Sequence, residues 1–457
     1  MLISVILAAG EGTRMKSKLP KVVHKICGKS MVNYVVDAAK NSNCESNVVI
    51  VGHGKDKVIN SIEDKSTKFE TQPIGDNMPY GTGYAVMQAR DHIKEDDQVI
   101  VLTGDTPLIT GETLTNLYNH HKSGGYKATV LTADFENPTG YGRIIRDNLE
   151  NVTKIVEQKD ATKEQRLIKE INSGIYCFEG KYLLDILDRL NNDNVQNEYY
   201  ITDAIEILNS DKEKVGGYKL KDNTEIMGVN SRVQLAQAEK VMRNRINIKF
   251  MKEGVTFIDP ENTYIEKSVS IGKDTIIYPG VVIKGDSKIG EDCIIDSNSK
   301  IENSTIKNGV HLKSSTVIES FIDDFTKVGP YAYLRPNSHV GKNVKIGDFV
   351  EIKNSIIGNN SKASHLAYIG DAEVGKNVNI GCGVVFVNYD GKNKHKTIVK
   401  DDAFIGSNSN LVAPVVVNEK GYIAAGSTIT KEVNKGDLSI ARARQVNKEG
   451  WVEKNNK

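Results

Sequence analysis

The second half of the chain carries an aliphatic residue at every sixth position, with small and polar residues between. A helix needs apolar residues about 3.6 positions apart and an alternating strand needs them about two apart, so a period of six fits neither. The repeat consists of Ile265, Ile271, Ile277, Ile283, Ile289, Ile295 and Ile301, then Val328, Leu334, Val340, Ile346 and Ile352, then Ile405, Leu411, Val417, Ile423 and Ile429. This period is typical of a β-helix, a coil whose rungs stack one aliphatic residue on the next. A sandwich with regular turns is the alternative, but seven isoleucines in one register favour the coil.

Three polar stretches stand out from this repeat. They are YAYLRPNS at 331–338, SKASHLAYIGD at 361–371 and VNYDGKNKHKT at 387–397. The last one breaks the six-residue period between Phe386 and Ile405, which predicts an extruded loop. Because repeats are interchangeable and their exceptions are not, we expect function at these three stretches.

The first half alternates strand-like and helix-like segments. LISVILAAG, NVVIVGHG and QVIVLTG are apolar, β-branched runs, the pattern of strands buried on both faces of a parallel sheet. MVNYVVDAAK and the residues after YGTG have helical spacing. The alternation predicts a Rossmann-like α/β domain with a mostly parallel sheet, and ligands of such sheets bind at the carboxyl ends of the strands.

Composition narrows the class of protein. With 457 residues the chain is too long for one core. A net charge of +1 gives no reason to expect nucleic acid or a membrane surface as a partner. Five scattered cysteines indicate reduced thiols, and no apolar stretch approaches the ~18 residues of a membrane span. The apolar N-terminus is too short for a signal peptide, so we expect a cytoplasmic protein.

Two features of the first half suggest phosphate chemistry. The first strand ends in GEGTRM, where glycines let backbone N–H groups approach a phosphate and Arg14 and Lys21 would neutralise it. The turn matches neither the dinucleotide nor the P-loop pattern, and a plain strand–loop corner is the alternative. Asp105 follows another buried strand, where a carboxylate either holds Mg²⁺ or caps a turn.

Nine motifs in order carry a family resemblance. They are LAAGEGTRM, LPKVVH, GTGYA, TGDTPL, PTGYGRI, IVEQKD, INSGIY, NEYYITD and GVN. Together they resemble the sugar-nucleotide pyrophosphorylase fold. With the β-helix, residues 2–452 resemble the bacterial bifunctional N-acetylglucosamine-1-phosphate uridyltransferase and glucosamine-1-phosphate acetyltransferases. The resemblance implies a left-handed, hexapeptide-repeat β-helix, a homotrimer with active sites between neighbouring coils, and a role in peptidoglycan and lipopolysaccharide precursor synthesis.

For the first half, the resemblance implies a site for UTP, N-acetylglucosamine 1-phosphate and Mg²⁺. Asp105 and Asn230 would bind the metal, and Arg14 and Lys21 would be the catalytic cations on the phosphates. Phosphoryl-type transfer asks mainly for positioning and positive charge, so no protein nucleophile is needed. The nucleotide and sugar contacts implied are Leu7, Ala8, Ala9, Gly10, Gly12, Thr13, Lys21, Gln72, Gly81, Thr82, Gly142, Glu157, Asn172 and Asn230.

For the second half, the resemblance implies transfer of acetyl from acetyl-coenzyme A to glucosamine 1-phosphate. An ammonium cannot attack a thioester, and a histidine side chain can accept a proton near working pH, so His365 suits the role of general base. Ser407 and backbone N–H groups would stabilise the oxyanion. The contacts implied are Arg335, Lys353, Tyr368 and Asn379 for the sugar phosphate, and Cys382, Asn388, Tyr389, Lys394, Ser407, Ala425 and Arg442 for acetyl-coenzyme A.

The chain departs from the family pattern at four places. PIGDNMPY at 73–80 is longer than usual, and Thr103 stands where the family often has Tyr. Cys382 replaces a small residue, and we interpret it as a packing neighbour of coenzyme A because no base beside it is evident. ARARQ at 441–445 lacks the proline of the family's SRVPQ.

These patterns predict three segments. Residues 1–229 form the uridyltransferase domain, 230–252 a connecting helix that ends before Gly254, and 253–457 the acetyltransferase β-helix.

Three other functions compete with the bifunctional enzyme. In a single-function nucleotidyltransferase the β-helix would only assemble subunits, and it would not need His365, Lys353 or Arg335. A β-helix hydratase needs three histidines on one metal, but His311, His339, His365 and His395 show no ligand spacing. A non-catalytic sensor predicts damaged phosphate and metal motifs, and here they are intact.

Overall fold

The computed structural model describes residues 1–75 and 78–455. It contains two compact units, Met1–Met242 and Arg243–Lys457. The division falls inside a helix, Arg232–Lys252, close to the helix predicted over 230–252. Gly254 follows with a φ of 96°, a left-handed conformation that glycine adopts without strain.

The first unit is built on a nine-stranded sheet. Its strands are Leu2–Ala8, Ser46–Val51, Lys68–Thr71, Gln98–Thr103, Ala128–Asp134, Arg143–Arg146, Val152–Val156, Glu170–Glu179 and Val215–Lys219. Leu2–Ala8 lies at the centre and pairs in parallel with Gln98–Thr103 and Ser46–Val51, as the buried apolar runs predict. Glu170–Glu179 is antiparallel to both of its main neighbours, so the sheet is mixed at that side. The mostly parallel α/β fold is confirmed.

Helices cover both faces of this sheet. They are Met31–Asn41, Lys55–Ser61, Thr82–Met87, Gly111–Gly124, Gly180–Arg189 and Asp203–Ser210. In the central strand, Ile3 and Val5 contribute to one core and Ile6 to the other. Alternate residues of one strand are therefore buried in opposite directions, which is why the run is apolar throughout.

The second unit is a parallel coil with three walls. The first wall contains Thr256–Phe257, Ile276–Ile277, Ile294–Ile295, His311–Leu312, Lys327–Val328, Asn379–Ile380, Phe404–Ile405, Tyr422–Ile423 and Leu438–Ser439. The second contains Tyr264–Ile265, Val282–Lys284, Lys300–Glu302, Thr316–Ile318, Tyr333–Leu334, Val385–Val387, Asn410–Val412 and Thr428–Ile429. The third contains Ser270–Ile271, Lys288–Ile289, Thr305–Ile306, Phe321–Ile322, His339–Val340, Ile356–Ile357, Ala372–Val374, Thr397–Val399 and Val415–Val417. A short helix, Trp451–Asn455, follows the coil.

The predicted repeat is the inward face of this coil. Ile277 pairs with Ile295, and Ile283 with Ile301, so residues of the repeat stack directly on one another and are buried. The period slips after Ile301 because that residue pairs with Val317, in a rung shorter than the preceding ones. The parallel β-helix is confirmed, and its three walls are consistent with the left-handed form.

The structure corrects the interpretation of the three polar stretches. Residues 331–338 and 361–371 are ordinary rungs, because Tyr333–Leu334 pairs into the second wall and Lys362–Gly370 is itself a strand. Lys362–Gly370 and Lys345–Lys353 run through the corner between the first and second walls without interruption. Only the third stretch is an insertion, and it is shorter than predicted because Thr397–Val399 already rejoins the third wall.

None of the helices formed by residues 1–75 and 78–455 is both long and apolar enough to traverse a bilayer.

Candidate functional site

Backbone hydrogen bonds bring three motifs together at the carboxyl ends of the central strands. The N–H of Gly104 donates to the carbonyl of Leu7 at 2.9 Å. The N–H of Val229 donates to the carbonyl of Asp105 at 2.8 Å. The LAAG, TGD and GVN motifs, far apart in sequence, therefore share one edge of the sheet, where ligands of such sheets bind.

A cation joins the two predicted metal ligands. The Lys21 ammonium lies 2.5 Å from an Asp105 carboxylate oxygen and donates at 2.9 Å to the Asn230 amide oxygen. Carboxylate and amide oxygens are ligands that Mg²⁺ accepts, with water and phosphate filling its other positions. Since a positive group fits between these two oxygens, the donor set suits a magnesium ion.

The glycine turn after the first strand lies over Lys21. Gly12 has a φ of 65°, and a Cβ added there would lie 2.5 Å from the Cβ of Lys21. Both the conformation and the close approach explain a glycine at this position. Arg14 is exposed in the short turn of helix Thr13–Met15. The predicted contacts along this segment are Leu7, half-buried, Ala8 and Ala9, buried, and Gly10 and Thr13, exposed.

Gln72, one of the predicted nucleotide and sugar contacts, is only 3% exposed and follows the strand Lys68–Thr71. It borders a cavity of about 480 Å³ that Gly52, Lys55 and Ile74 also line. The loop predicted to be unusually long, residues 73–80, includes Asp76 and Asn77, which lie outside the described residues.

Gly81 and Thr82 pack against the NEYYITD motif. A Cβ on Gly81 would lie 2.3 Å from the carbonyl oxygen of Tyr199, so only glycine fits there. The N–H of Ile201 donates to the Thr82 hydroxyl at 3.1 Å. The GTG motif therefore positions NEYYITD, a structural role that its sequence did not predict.

The three residues predicted to hold the sugar are neighbours. The N–H of Asn172 donates to the carbonyl of Gly142 at 2.9 Å. The Cβ position of Gly142 lies 3.4 Å from Glu157 Oε1 and 3.5 Å from the Asn172 Cβ. The Asn172 amide also donates to the Tyr176 hydroxyl at 2.8 Å, which fixes its orientation.

Glu157 faces a cavity of about 550 Å³ that Tyr200, Thr202 and Asp203 also line. Burial, together with the charges of Asp160 and other nearby carboxylates, raises the pKa of Glu157 to about 7. The buried Thr202 hydroxyl has no hydrogen-bond partner among residues 1–75 and 78–455. Sequence analysis quoted NEYYITD as a motif but gave its residues no role.

In the second unit, one group of predicted residues lies at the corner between the second and third walls. Lys353 Nζ is 3.6 Å from Asp371 Oδ2, and the Asn388 amide donates to the same oxygen at 2.5 Å. The Tyr368 hydroxyl lies 3.4 Å from the Asn388 amide. Arg335, one rung earlier, donates to Glu351 at 2.7 Å. Asp371 links these groups, although the sequence gave it no role.

Lys394, predicted to contact acetyl-coenzyme A, lies instead at this corner, where the inserted loop brings it beside Lys353. The facing Lys353 ammonium lowers the pKa of Lys394. Two cations held side by side form a natural binding site for a phosphate. Tyr389, next to Asn388, is exposed and its hydroxyl donates to the carbonyl of Gly391 at 2.7 Å.

A second group lies at the corner between the first and second walls. His365, whose side chain is 61% exposed, stands one rung before Cys382, and Ser407 and Ala425 follow in the next rungs. Backbone bonds stack these rungs, because Asn408 N–H donates to Cys382 and Gly426 N–H to Ser407. Arg442 lies beside Gly426, with its Cδ 3.7 Å from that residue's Cβ position. The predicted contact Asn379 is on the first wall, where it pairs with Lys362.

The two groups do not converge within one coil. Leu366 and Gly370 mark the two corners, and the four residue steps of extended strand from one to the other span roughly 13 Å. The sequence placed all of these residues in one site without indicating this separation.

No three side chains among His, Cys, Asp and Glu come together as a metal site within the described ranges. The three-histidine centre that a hydratase needs is thus not found in this part of the chain.

Two family models match the chain, Nucleotidyl transferase over residues 3–231 and GMPPB C-terminal domain over residues 318–432. The chain is 60% identical over 454 residues to "Bifunctional protein GlmU" of Clostridioides difficile (strain 630). It is 57% identical over 452 residues to the protein of that name from Alkaliphilus metalliredigens (strain QYMF). Both alignments cover 99% of this chain and 98% of the relative.

Proposed function

The chain belongs to the bifunctional GlmU family, and from this premise we propose how its residues divide two reactions. It is a bifunctional enzyme of UDP-N-acetylglucosamine synthesis. It acetylates glucosamine 1-phosphate with acetyl-coenzyme A, and it transfers UMP from UTP to N-acetylglucosamine 1-phosphate with release of pyrophosphate. We assign uridyl transfer to residues 1–229 and acetyl transfer to residues 253–457, joined by the helix of residues 230–252.

Uridyl transfer is assigned to the edge where Lys21, Asp105 and Asn230 meet. In this proposal the sugar phosphate attacks the α-phosphorus of UTP while Lys21 and Arg14 neutralise the phosphate charge. Asp105 and Asn230 would hold Mg²⁺, which would supply further positive charge to the phosphates. The contacts of Lys21 with both oxygens are the observation that carries this assignment.

Recognition of the N-acetylated sugar is assigned to the cavity beside Glu157. Gly142 leaves room because it has no side chain, and Glu157 and Asn172 face the space that its Cβ would enter. A carboxyl group and an amide are suited to bind sugar hydroxyl and N-acetyl groups. Tyr200 and the buried Thr202 hydroxyl line the cavity that Glu157 faces.

Acetyl transfer is assigned to His365 as general base and to the cations at the other corner. Lys353 and Lys394 bind the phosphate of glucosamine 1-phosphate, with Arg335 and Tyr368 beside them. Acetyl-coenzyme A lies along the stacked corner of Cys382, Ser407 and Ala425, and Arg442 binds its phosphates. The pairing of two lysine ammoniums supports the phosphate assignment.

We propose a homotrimer, which the separation of these groups supports. The His365 corner of one copy must meet the Lys353 corner of another copy to complete a site. When one surface of each copy contacts a different surface of the next copy, the copies form a closed ring if the rotation closes, and the smallest such ring is a trimer. Beside His365, an exposed apolar stripe of Tyr331, Phe349 and Leu366 offers a surface for a second copy. Since all substrates are small soluble metabolites, we place the enzyme in the cytoplasm.

One assay tests the proposed function directly. The purified chain receives glucosamine 1-phosphate, acetyl-coenzyme A, UTP and Mg²⁺, and free thiol and pyrophosphate are followed separately. We expect both products, with thiol appearing first because pyrophosphate release needs the acetylated sugar. Pyrophosphate formed only from supplied N-acetylglucosamine 1-phosphate, without thiol, would instead indicate a single-function nucleotidyltransferase on a structural coil.

A further inference from the structure

We propose that Asp348 is a positioning residue for His365 in acetyl transfer. Asp348 Oδ1 lies 2.8 Å from His365 Nδ1, within hydrogen-bonding distance. The inference rests on the proposed acetyltransferase function and adds a residue for which neither sequence pattern nor family resemblance suggested a role.

The hydrogen bond determines which imidazole nitrogen can act as the base. Its formation with His365 holds the pKa of Asp348 below its usual range, so the carboxylate is ionised and can only accept. His365 Nδ1 must therefore carry the proton, and Nε2 keeps the lone pair that accepts a proton from the substrate.

The backbone fixes this pair in place. Asp348 and His365 face each other in the register of two adjacent strands. Gly347 packs so closely on the next rung that an added Cβ would lie 1.8 Å from the carbonyl oxygen of Ser364. Phe349 and Leu366, which follow the two residues, both have positive φ, an unusual conformation for large side chains. The corner therefore brings the two rungs together at some conformational cost.

A histidine–aspartate pair alone is not evidence of catalysis, because the coil contains others. His311 pairs with Asp296 at 2.9 Å and His395 with Asp390 at 2.6 Å. The His365 pair differs because it continues into the stacked corner of Cys382 and Ser407, to which acetyl-coenzyme A binding is assigned. Asp296 thus provides a matched control.

In the proposed reaction, His365 carries one proton from the substrate amine to the coenzyme A thiolate. The amine nitrogen of glucosamine 1-phosphate bonds to the thioester carbon, and its proton moves to His365 Nε2. Asp348 stabilises the resulting imidazolium. When the tetrahedral intermediate collapses, the C–S bond breaks, and the same proton passes from Nε2 to the coenzyme A thiolate. The products are the N-acetylated sugar phosphate and free coenzyme A.

Other ionisable groups also lie near the pair. Lys345, on the same strand, lowers the pKa of Asp348 by its charge. The Cys382 thiol lies in the following rung, and the Tyr331 phenol, stacked on Phe349, lies in the preceding one. None of these groups supplies a second carboxylate to replace Asp348.

The test compares Asp348→Asn with wild type and with the control Asp296→Asn. An amide keeps the shape but removes the charge. We expect kcat of acetyl transfer to fall about tenfold, with KM for both substrates within about twofold. The acid limb of the kcat profile should move roughly one pH unit lower, because the imidazolium loses its counter-charge. Asp296→Asn should match wild type in rate and profile.

Three outcomes would overturn the proposal or its premise. A wild-type rate and profile in Asp348→Asn would show that His365 needs no positioning. A fall in kcat with an unmoved acid limb, or a fall shared by Asp296→Asn, would indicate a structural effect only. Absence of acetyl transfer by the wild-type chain would refute the proposed function and this inference with it.

Discussion

Burial controls the ionisation of Glu157 at the proposed sugar site. Its carboxyl has a pKa of about 7 in the folded chain, against an ordinary value of 4.5. The neutral form is therefore favoured by folding. The neutral Glu157 carboxyl therefore makes its full contribution to the free energy of unfolding below about pH 4.5, and this contribution is lost as the pH rises through about 7.

This loss of stability with rising pH gives a prediction for Glu157→Gln, whose side chain is neutral at every pH. Between about pH 4.5 and about pH 7.5, wild type should lose on the order of 2 kcal/mol more unfolding free energy than the variant. Denaturant unfolding followed by circular dichroism at both pH values measures the difference. An equal loss in both proteins would mean that Glu157 ionises normally in the folded chain.

At the residue scale, sequence reasoning found residues that belong to recognisable motifs. Lys21 was predicted as a cation for the phosphates and Asp105 and Asn230 as metal ligands, and the three lie together, as do Gly142, Glu157 and Asn172. Asp348 and Asp371 were missed because their partners come from neighbouring rungs. The strand register of the coil brings Asp348 to His365 and Asp371 to Lys353, and this register cannot be read from the sequence.

At the element scale, the long helix Arg232–Lys252 is anchored to the first rung of the coil. The buried amide of Asn247 donates to the carbonyls of Pro260 at 2.7 Å and Thr263 at 3.1 Å. Repeat proteins depend on such terminal caps, because an end rung has a neighbour on one side only.

We therefore expect Asn247→Ala to destabilise the coil by about 1–3 kcal/mol, since two carbonyls lose their donor. Asn244→Ala, on the exposed side of the same helix, is the control and should change stability little. Hydrogen exchange of amides in residues 256–277 provides the measurement. Equal exchange rates in the two variants would contradict the role of this anchor.

The elements themselves were largely predictable. A period of six has one common structural solution, and buried apolar runs between helical segments indicate a parallel sheet. The two strands that continue through the His365 corner were not predictable. The buried aliphatic repeat shows where the walls lie, but it does not show whether the residues at a corner also form strand hydrogen bonds with the next rung. For the same reason, residues 361–371 were mistaken for an exception to the coil.

At the scale of the whole molecule, the proposed acetyl transfer site combines two corners that one coil holds apart, so we expect it to need two copies of the chain. Sequence motifs identified its residues but could not show that they occupy two corners of one coil. That separation depends on how many residues each wall contains, which becomes visible only once the rungs are aligned.

Trimers that contain two different variants test whether His365 and Lys353 of one site come from different copies. His365→Ala and Lys353→Ala chains, each inactive alone, are unfolded together in equal amounts and refolded. A random trimer mixture should recover about a quarter of wild-type acetyl transfer, because each mixed ring contains one intact site. As a control for refolding, two differently labelled preparations of His365→Ala are mixed, unfolded and refolded in the same way. No recovery in verified mixed trimers would place both residues in a site within one chain.

The central claim is that one chain carries two independent active sites, and crossed inactivation tests it most directly. Asp105→Asn and His365→Ala are each assayed for thiol release from acetyl-coenzyme A and for pyrophosphate release with supplied N-acetylglucosamine 1-phosphate. We predict that Asp105→Asn loses uridyl transfer by at least about a hundredfold and keeps acetyl transfer, and that His365→Ala does the reverse. Loss of both activities in either variant, with the fold intact, would contradict the account.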